Sequence, residues 1–391
     1  MPDAILSLNA GSSSLKFALF DAAGLTRLVA GEIETIDSAT RFRAQDAAGN
    51  VLADEQGQGS YQDTVNALLT WLDRHLGTSK LMAAGHRVVH GGRDHCAPEA
   101  VTPALIAALE QLAPLAPLHQ LHDLAPVRAI AAARPQLPQI VCFDTAFHKN
   151  IPPVAARFAL PREYEADGIR RYGFHGLSYE YIAGKLAELA PDIANKKVIM
   201  AHLGNGASLC AMEHGRSVDT SMGMTPLDGL VMGTRCGAID PGVILYLLRE
   251  QGMTAGSVED LLYRRSGLLG VSGVSSDMRT LQETTDPRAA EAIDLFVFRI
   301  VREIAALAAT LQGLDALVFT AGIGEHAPEI RRRICEKMAW LGLKLDADAN
   351  RKAASRITVP DSAISAYVIP TDEEWVIARH MRRWLDEHSI S

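Results

Sequence analysis

Two segments of this chain share one pattern, in which an apolar run enters a turn of small and polar residues and leaves as a second apolar run. The segments cover residues 5–20 and 198–210. The pattern predicts two antiparallel strands joined by a loop whose backbone is unobstructed by side chains. Backbone N–H groups in such a loop can wrap an anion. Because one unit of this kind occurs in each half, we expect two similar domains that face one cleft.

The length supports this division. A chain of 391 residues is longer than one ordinary core and suits two domains of about 150 to 200 residues. Apolar residues make up 48% and charged residues 21%, as expected of a soluble globular protein. The net charge of −8 and the lack of Lys/Arg clusters with interleaved aromatic residues argue against nucleic-acid binding. A substrate anion would therefore need local positive groups.

The cysteines and the apolar runs indicate the cellular compartment of the protein. Five cysteines occur without a Cys-x-x-Cys pair, and this odd, scattered set fits reduced thiols better than a disulfide framework. The chain enters a strand directly, without the features of a leader peptide, and contains no run of 18 apolar residues. The sequence therefore predicts a cytoplasmic protein with no membrane segment.

Hydrophobic periodicity places the other elements. Residues 83–90 indicate a buried strand that contains Arg87, and residues 139–148 indicate another strand that carries Asp144. The carboxyl ends of strands are where open α/β sheets place ligands. Helical spacing predicts the helices at residues 61–75, 103–111, 123–133, 179–189 and 287–312.

Several charged residues have a functional and an ordinary interpretation. Arg87 and Arg235 lie in segments otherwise poor in charge, and a guanidinium can grip carboxylate or phosphoryl oxygens, or form a structural ion pair. Asp144 and Glu373 are oxygen ligands of the kind that Mg²⁺ uses, although Glu373 also suits the helix dipole. His175 could equally be a core histidine.

A capping argument separates the two neighbouring glutamates of the last helix. Thr371 and Glu374 have the spacing of a capping box, in which the threonine caps the helix and the glutamate reaches back. Glu374 is then occupied locally. This interpretation leaves Glu373 as the freer carboxylate for a metal.

Two glycine-containing segments are ambiguous when each is considered alone. The loop of residues 9–16 offers hydroxyls and Lys16 to a phosphate, or is a plain hairpin turn, and it lacks the spacing of a Walker A motif. Residues 322–327 match a dinucleotide-binding fingerprint but come too late in the chain to open a Rossmann domain. We expect a glycine turn against an adenosine there, with a simple strand-to-helix turn as the alternative.

Seven segments together resemble the acetate kinase family, and they follow the family's order over almost the whole chain: residues 9–16, 85–92, 143–148, 171–176, 202–208, 232–237 and 320–325. The resemblance implies an α/β fold of the duplicated actin-like, sugar-kinase and Hsp70 ATPase (ribonuclease H-like) type. Residues 1–148 would form the N-terminal domain, closed by a helix over 372–391, and residues 149–371 the C-terminal nucleotide-binding domain. The implied reaction is reversible phosphoryl transfer between ATP and acetate, giving acetyl phosphate and ADP, in a homodimer.

The resemblance also implies roles for individual residues. The catalytic groups would be Arg87, Asp144, His175 and Arg235, and the apolar acyl pocket next to Arg87 would contain Val89, Leu118, Phe174 and Pro226. Asn9, Asp144 and Glu373 would place Mg²⁺, with Mn²⁺ as an alternative ion. The nucleotide would be bound by Ser12, Ser14, Lys16, His202, Leu203, Gly204, Asn205, Gly206, Asp277, Met278, Arg279, Gly322, Ile323, Gly324 and His326.

The sequence departs from the family pattern at Gln120, Leu177, Tyr179, Ala238 and His326. These changes leave open a preference for propionate or butyrate, or a donor such as pyrophosphate. A different class, a non-kinase ATPase of the actin-like fold, is the competing interpretation. Such a protein needs no arginine pair beside a small apolar pocket, so the arginines favour a kinase.

Overall fold

The structure, a computed structural model, describes residues 2–11, 14–36, 39–58, 61–117 and 119–388. Within these residues the strands are β1 (Ala4–Ala10), β2 (Ser14–Asp21), β3 (Arg27–Ile36), β4 (Ala39–Asp46), β5 (Val51–Gln58), β6 (Leu81–Val88), β7 (Glu99–Ala100), β8 (Gln139–Phe143), β9 (Val198–Leu203), β10 (Ala207–Glu213), β11 (Arg216–Thr220), β12 (Ala316–Thr320) and β13 (Ser365–Val368).

The helices of the described residues, again in chain order, are α1 (Tyr61–Leu76), α2 (Pro103–Glu110), α3 (Gln120–Ala133), α4 (Pro153–Ala156), α5 (Arg162–Ala166), α6 (Gly176–Leu189), α7 (Pro191–Ala194), α8 (Pro241–Arg249), α9 (Ala255–Arg264), α10 (Gly267–Ser272), α11 (Met278–Glu283), α12 (Pro287–Leu311), α13 (Ala321–His326), α14 (Pro328–Lys337), α15 (Ala347–Arg351) and α16 (Glu373–His388). None of these helices combines the length and apolar character needed to cross a membrane.

The chain divides into two units, which are Met1–Ala146 with Asp372–Ser391, and Phe147–Thr371. In the described part of the first unit the strand order is β5-β4-β3-β2-β1-β6-β8-β7, and in the second it is β11-β10-β9-β12-β13. In each sheet three antiparallel strands are followed by two that add in parallel: β3-β2-β1 then β6 and β8, and β11-β10-β9 then β12 and β13. This repeated plan confirms the predicted duplicated α/β fold.

Each unit buries the apolar faces that its helical spacing predicts. In the first unit, Val65, Leu68, Leu69 and Leu72 of α1 pack into the core on β1 and β2. In the second unit, Ile182 and the rest of the buried face of α6 pack against β9 and β12. α12 begins after the Asp286 cap, with Pro287 at its first position, and buries a wide stripe.

Some boundaries differ from the prediction. β8 ends at Phe143, and residues 146–148 form a short 3₁₀ turn instead of extending the strand. Residues 322–324 lie in α13, so the expected glycine turn is wrong. Two glycines disfavour a helix, but Arg331 binds the carbonyls of Gly324 and Glu325, at 2.9 and 2.7 Å, and holds its end.

The capping box predicted for the last helix is also wrong. The cap of α16 is Asp372, whose carboxylate accepts a hydrogen bond from the Trp375 N–H at 3.0 Å. Thr371 Oγ1 is buried without a hydrogen bond to any described residue, and Glu374 accepts from the Asn9 amide at 3.3 Å instead of reaching back. Threonine and aspartate are both good caps, so adjacent candidates could not be separated from sequence.

Asp372→Ala should lower the free energy of unfolding by about 1 kcal/mol, because the first turn of α16 loses its cap. Thr371→Val removes a hydroxyl that makes no described hydrogen bond and should leave the stability unchanged or raise it. Since Asp372 also forms an ion pair with Arg27 at 2.5 Å, Arg27→Met isolates that contribution. Thermal unfolding of the three variants measures the effect, and an equal loss in Thr371→Val would contradict the assignment.

Candidate active-site residues in each unit

A buried ion pair lies at the carboxyl ends of β6 and β8 in the first unit. Arg87 is near the end of β6, and Asp144 follows the last residue of β8. The Arg87 guanidinium donates to Asp144 Oδ2 from Nε at 2.9 Å and from Nη2 at 2.6 Å. The Arg87 side chain is 14% exposed and that of Asp144 is 1% exposed. The structural ion pair that the sequence left open for Arg87 is therefore present.

Asn9 and Glu373 extend this cluster. Arg87 Nη1 donates to Asn9 Oδ1 and to the carbonyl of Ala10, both at 3.3 Å. The Asn9 amide donates to Glu373 Oε2 at 3.0 Å. The three residues predicted to place a metal, which are Asn9, Asp144 and Glu373, thus come together around Arg87, with Asn9 as the bridge between Arg87 and Glu373.

The electrostatics of the cluster suit a divalent cation. Burial and, after it, the nearby charge of Asp144 raise the pKa of Glu373 to about 7, whereas Arg87 opposes the shift. Asp144 Oδ1 is buried and receives no hydrogen bond from the described residues. The described ranges contain no group of three or more His, Cys, Asp and Glu that could hold a metal. Mg²⁺ needs only one or two carboxylates, because water and phosphate complete its shell. The two carboxylates of Asp144 and Glu373 therefore fit Mg²⁺.

A fourth charged residue lies beside this cluster, and the sequence analysis did not identify it. Asp123 of α3 is buried, and its Oδ2 accepts from the backbone N–H of Val89 at 2.8 Å. Burial raises the pKa of Asp123 to about 8, against the opposing charge of Arg87. Gln120 accepts from the His90 N–H and donates to the His90 carbonyl, at 3.2 and 3.0 Å. α3 therefore fixes the backbone that carries Val89, but only the tertiary fold reveals this.

Of the other predicted residues of the first unit, the side chains of Lys16 and Ser14 take no part in the hydrogen bonds described above. Lys16 is exposed on β2, paired in register with Asn9 on one side and Glu32 on the other. Ser14 begins β2, and its carbonyl accepts from the Gly11 N–H at 2.7 Å. Ser12 and Leu118 lie outside the described residues. Val89 is 2% exposed.

In the second unit, two histidines stack beside the loop between β9 and β10. The rings of His175 and His202 are 4.0 Å apart and nearly parallel. Each ring is bonded through Nδ1, to Ser208 Oγ at 2.8 Å for His175 and to Ser178 Oγ at 2.9 Å for His202. His175 has a left-handed φ of 59° and precedes the first residue of α6. Hydrogen bonds thus orient both rings.

Arg235 and His175 approach the same glycine. A Cβ built at Gly206 would meet Arg235 Nη2 at 2.7 Å and His175 Nε2 at 3.3 Å. Arg235 is held by a bond from Nη1 to the Pro226 carbonyl at 2.7 Å. The absence of a side chain at Gly206 is therefore what lets the arginine and the histidine meet at the loop. The structure brings these predicted residues together.

The two apolar residues predicted in this unit, Phe174 and Pro226, are both buried. The Phe174 carbonyl lies 2.9 Å from Nε2 of His148, whose Nδ1 lies 2.8 Å from Ser217 Oγ. Burial lowers the pKa of His148 to about 4, so this ring is neutral and acts as a fixed support. No role was predicted for His148, although it closes the segment 143–148 that resembles the family.

A cavity of about 540 Å³ lies on the second unit, within the usual range for small-molecule sites. It is lined by eight residues that the resemblance assigned to the nucleotide: Gly204, Asn205, Asp277, Met278, Arg279, Gly322, Ile323 and His326. Ser276 and Ala327 complete the lining. Gly324, Leu203 and His202 lie in the adjoining elements and do not line it. Asp277 is held as the cap of α11, accepting from the Thr280 N–H at 3.0 Å.

Comparison with known proteins identifies the family of the chain. The sequence profile of the Acetokinase family matches residues 4–379. A protein of Rhodopseudomonas palustris named acetate kinase is 54% identical, and the alignment covers 99% of each chain. Two solved structures are also similar: a propionate kinase from Francisella tularensis (TM-score 0.91, 38% identity, 97% of this chain and 98% of that chain) and the Porphyromonas gingivalis acetate kinase (TM-score 0.88, 35% identity, 98% and 100%). The chain belongs to the acetokinase family.

Proposed function

We propose that this protein phosphorylates acetate reversibly with ATP, giving acetyl phosphate and ADP. The observation that carries the proposal is the cluster of Arg87, Asp144 and Glu373 in a chain of this family, in which the buried Asp144 has one carboxylate oxygen without a hydrogen bond from the described residues. The cavity that Asn205, Asp277 and His326 help to line supports nucleotide binding on the second unit.

The proposed chemistry needs charge neutralisation more than a base. A carboxylate is already a nucleophile, so one acetate oxygen attacks the γ-phosphorus in line while the bond to the ADP oxygen breaks. Arg87, Arg235 and His175 would neutralise the charge on the carboxylate and on the transferred phosphoryl oxygens. Mg²⁺ supplies electrostatic stabilisation of the phosphates when it is bound. Asp144 and Glu373 would hold it, with Asn9 fixing Glu373.

The acyl preference is a separate proposal, in which acetate is the best substrate because Val89 limits acyl length. One methylene in an apolar site is worth about 1 to 3 kcal/mol. We expect Val89→Ala to improve kcat/KM for propionate relative to acetate by roughly tenfold. A coupled assay across C1 to C4 carboxylates, with ATP and with pyrophosphate as donors, measures both the activity and the preference.

The outcomes of this assay are distinct. Turnover of acetate with ATP supports the proposed reaction, and better turnover of propionate or butyrate by the wild-type protein would replace acetate as its substrate. An unchanged preference in Val89→Ala would remove Val89 from the acyl site. No turnover of any carboxylate with either donor would refute the kinase and favour an ATPase of another kind.

The metal assignment predicts different effects for neighbouring carboxylates. Asp144→Asn and Glu373→Gln should lower kcat by at least roughly 10- to 100-fold and raise the Mg²⁺ concentration needed for half-maximal rate. Glu374→Gln is the matched control and should retain most activity, since Glu374 accepts a longer hydrogen bond from the Asn9 amide, at 3.3 Å against 3.0 Å for Glu373. Inactivation by Glu374→Gln, with Glu373→Gln active, would contradict the assignment. Because the pKa of Glu373 is raised to about 7, protons should compete with Mg²⁺ as the pH falls through 7.

The donor assignment predicts that ADP binds beside His326. The His326 side chain is 77% exposed and lines the cavity, so its ring can stack on a base, an interaction worth about 0.5 to 1.5 kcal/mol. Calorimetric titration should show saturable ADP binding that weakens by roughly 2- to 10-fold in His326→Ala. His122→Ala, at an exposed position of the first unit, is the control. No ADP binding together with pyrophosphate-dependent turnover would overturn ATP as the donor.

We further propose a homodimer formed through α8. This helix buries none of its residues, although Val243, Leu245 and Tyr246 are apolar and 40, 48 and 54% exposed. An apolar helix face of this kind commonly marks a protein interface. Light scattering should give twice the chain mass of 42.1 kDa, and Tyr246→Asp should shift it toward the monomer. Trp340→Asp, at an exposed aromatic residue on another element, should not, and a monomeric wild type would refute the dimer.

A further inference from the structure

A chain of hydrogen bonds leads from His175 into the interior of the second unit. Ser208 Oγ lies 2.8 Å from His175 Nδ1 and 2.5 Å from the hydroxyl of Tyr179. Both Ser208 and Tyr179 are fully buried. Tyr179 is one of the positions where this chain departs from the family pattern, and no role was predicted for it.

The backbone explains why these three side chains meet. His175 precedes α6, and its carbonyl accepts from the Tyr179 N–H at 3.0 Å, which places Tyr179 one helical turn along the same face. Ser208 lies on β10 directly opposite His202, whose ring stacks on His175. α6 and the β9–β10 pair therefore hold the imidazole from two sides.

The direction of the hydrogen bonds follows from the requirements of buried hydroxyls. The Tyr179 hydroxyl needs an acceptor for its proton, and Ser208 Oγ is the acceptor found for it among the described side chains. The backbone of His202 also hydrogen-bonds to this hydroxyl. If Tyr179 donates to Ser208, the Ser208 proton is directed to His175 Nδ1. A neutral imidazole that accepts at Nδ1 carries its proton at Nε2.

The Nε2 edge is the one that faces the loop between β9 and β10. Nε2 would be 3.3 Å from a Cβ at Gly206, the same position that Arg235 Nη2 approaches. A proton on Nε2 is therefore placed where it can be donated to an oxygen held at this loop. The opposite tautomer would present a lone pair to that oxygen and repel it.

We propose that Tyr179, acting through Ser208, is a positioning residue that fixes His175 in the Nε2-protonated tautomer, as a hydrogen-bond donor to the transferred phosphoryl group. The proposal rests on the proposed function for its last step only. The tautomer itself is a property of the protein and can be measured without substrate.

The first measurement is therefore spectroscopic. In protein labelled with ¹⁵N-histidine, the two ring nitrogens of His175, assigned by comparison with His175→Gln, should show a protonated Nε2 and an unprotonated Nδ1. Tyr179→Phe keeps the ring shape but removes the hydroxyl that donates to Ser208. The Ser208 hydroxyl can then accept a hydrogen bond from His175 Nδ1, and the signals of the two ring nitrogens should indicate a mixture of tautomers. A protonated Nδ1 in the wild-type protein would overturn the proposal.

Kinetics then tests the link to the reaction. Tyr179→Phe and Ser208→Ala should each lower kcat by roughly tenfold or more and leave KM for both substrates within about twofold. The double variant should be no worse than either single variant, because both break one chain. Ser208→Thr, which retains the hydroxyl, should restore most of kcat, and Tyr181→Phe on the same helix serves as the control.

The outcomes separate the two proposals. Additive losses in the double variant, or an unchanged kcat in Tyr179→Phe, would overturn the positioning role. No kinase activity in the wild type would refute the proposed function, while the nitrogen signals would still decide the tautomer. An unchanged kcat would overturn that role even if the tautomer of His175 shifts.

Discussion

The ion pair between Arg87 and Asp144 is the interaction on which the first unit's candidate site depends. Burying two charges costs several kcal/mol each unless they pair closely, and here both donors of one guanidinium edge meet a single carboxylate oxygen. Three carboxylates, those of Asp144, Asp123 and Glu373, act on this one arginine. If all three were ionised, the cluster would carry an excess of negative charge. Burial is the main cause of the raised pKa values of Glu373 and Asp123, the charge of Asp144 adds to it, and a bound divalent cation would stabilise the ionised carboxylates.

The two units share one sheet topology but carry different candidate site residues at the same edge of the sheet. In the first, Asn9, Arg87 and Asp144 lie at the carboxyl ends of the parallel strands β1, β6 and β8. In the second, the glycine loop follows β9, and α13 follows its parallel neighbour β12. This is the edge at which open α/β sheets bind ligands. In the first unit this edge of the sheet carries charged side chains, and in the second unit it carries a glycine loop beside a cavity.

The sequence predicted the parts of this arrangement that depend on local pattern. The repeated hairpins, the arginine within an apolar strand and the carboxylate after β8 all follow from short stretches of residues. The sequence missed Asp123 and the Tyr179–Ser208 pair because their partners are 29 or more residues away. It misjudged α13 because Arg331 and Glu325, and not local propensity, hold that helix. Glu325 Oε1 accepts from the Ala321 N–H at 2.8 Å and the Thr371 N–H at 3.2 Å.

The departures from the family pattern fall into two physical groups. Gln120, Leu177 and Tyr179 are buried, whereas Ala238 and His326 are exposed. Among the buried positions, Gln120 fixes the backbone of His90 and Tyr179 reaches His175 through Ser208, so each acts on a site residue through a second group. A buried polar side chain must be satisfied wherever it is placed, and a new one therefore requires matching partners. Gln120 and Tyr179 therefore bear on the site through the groups that support it, and neither takes the place of Arg87, Asp144, Arg235 or His175.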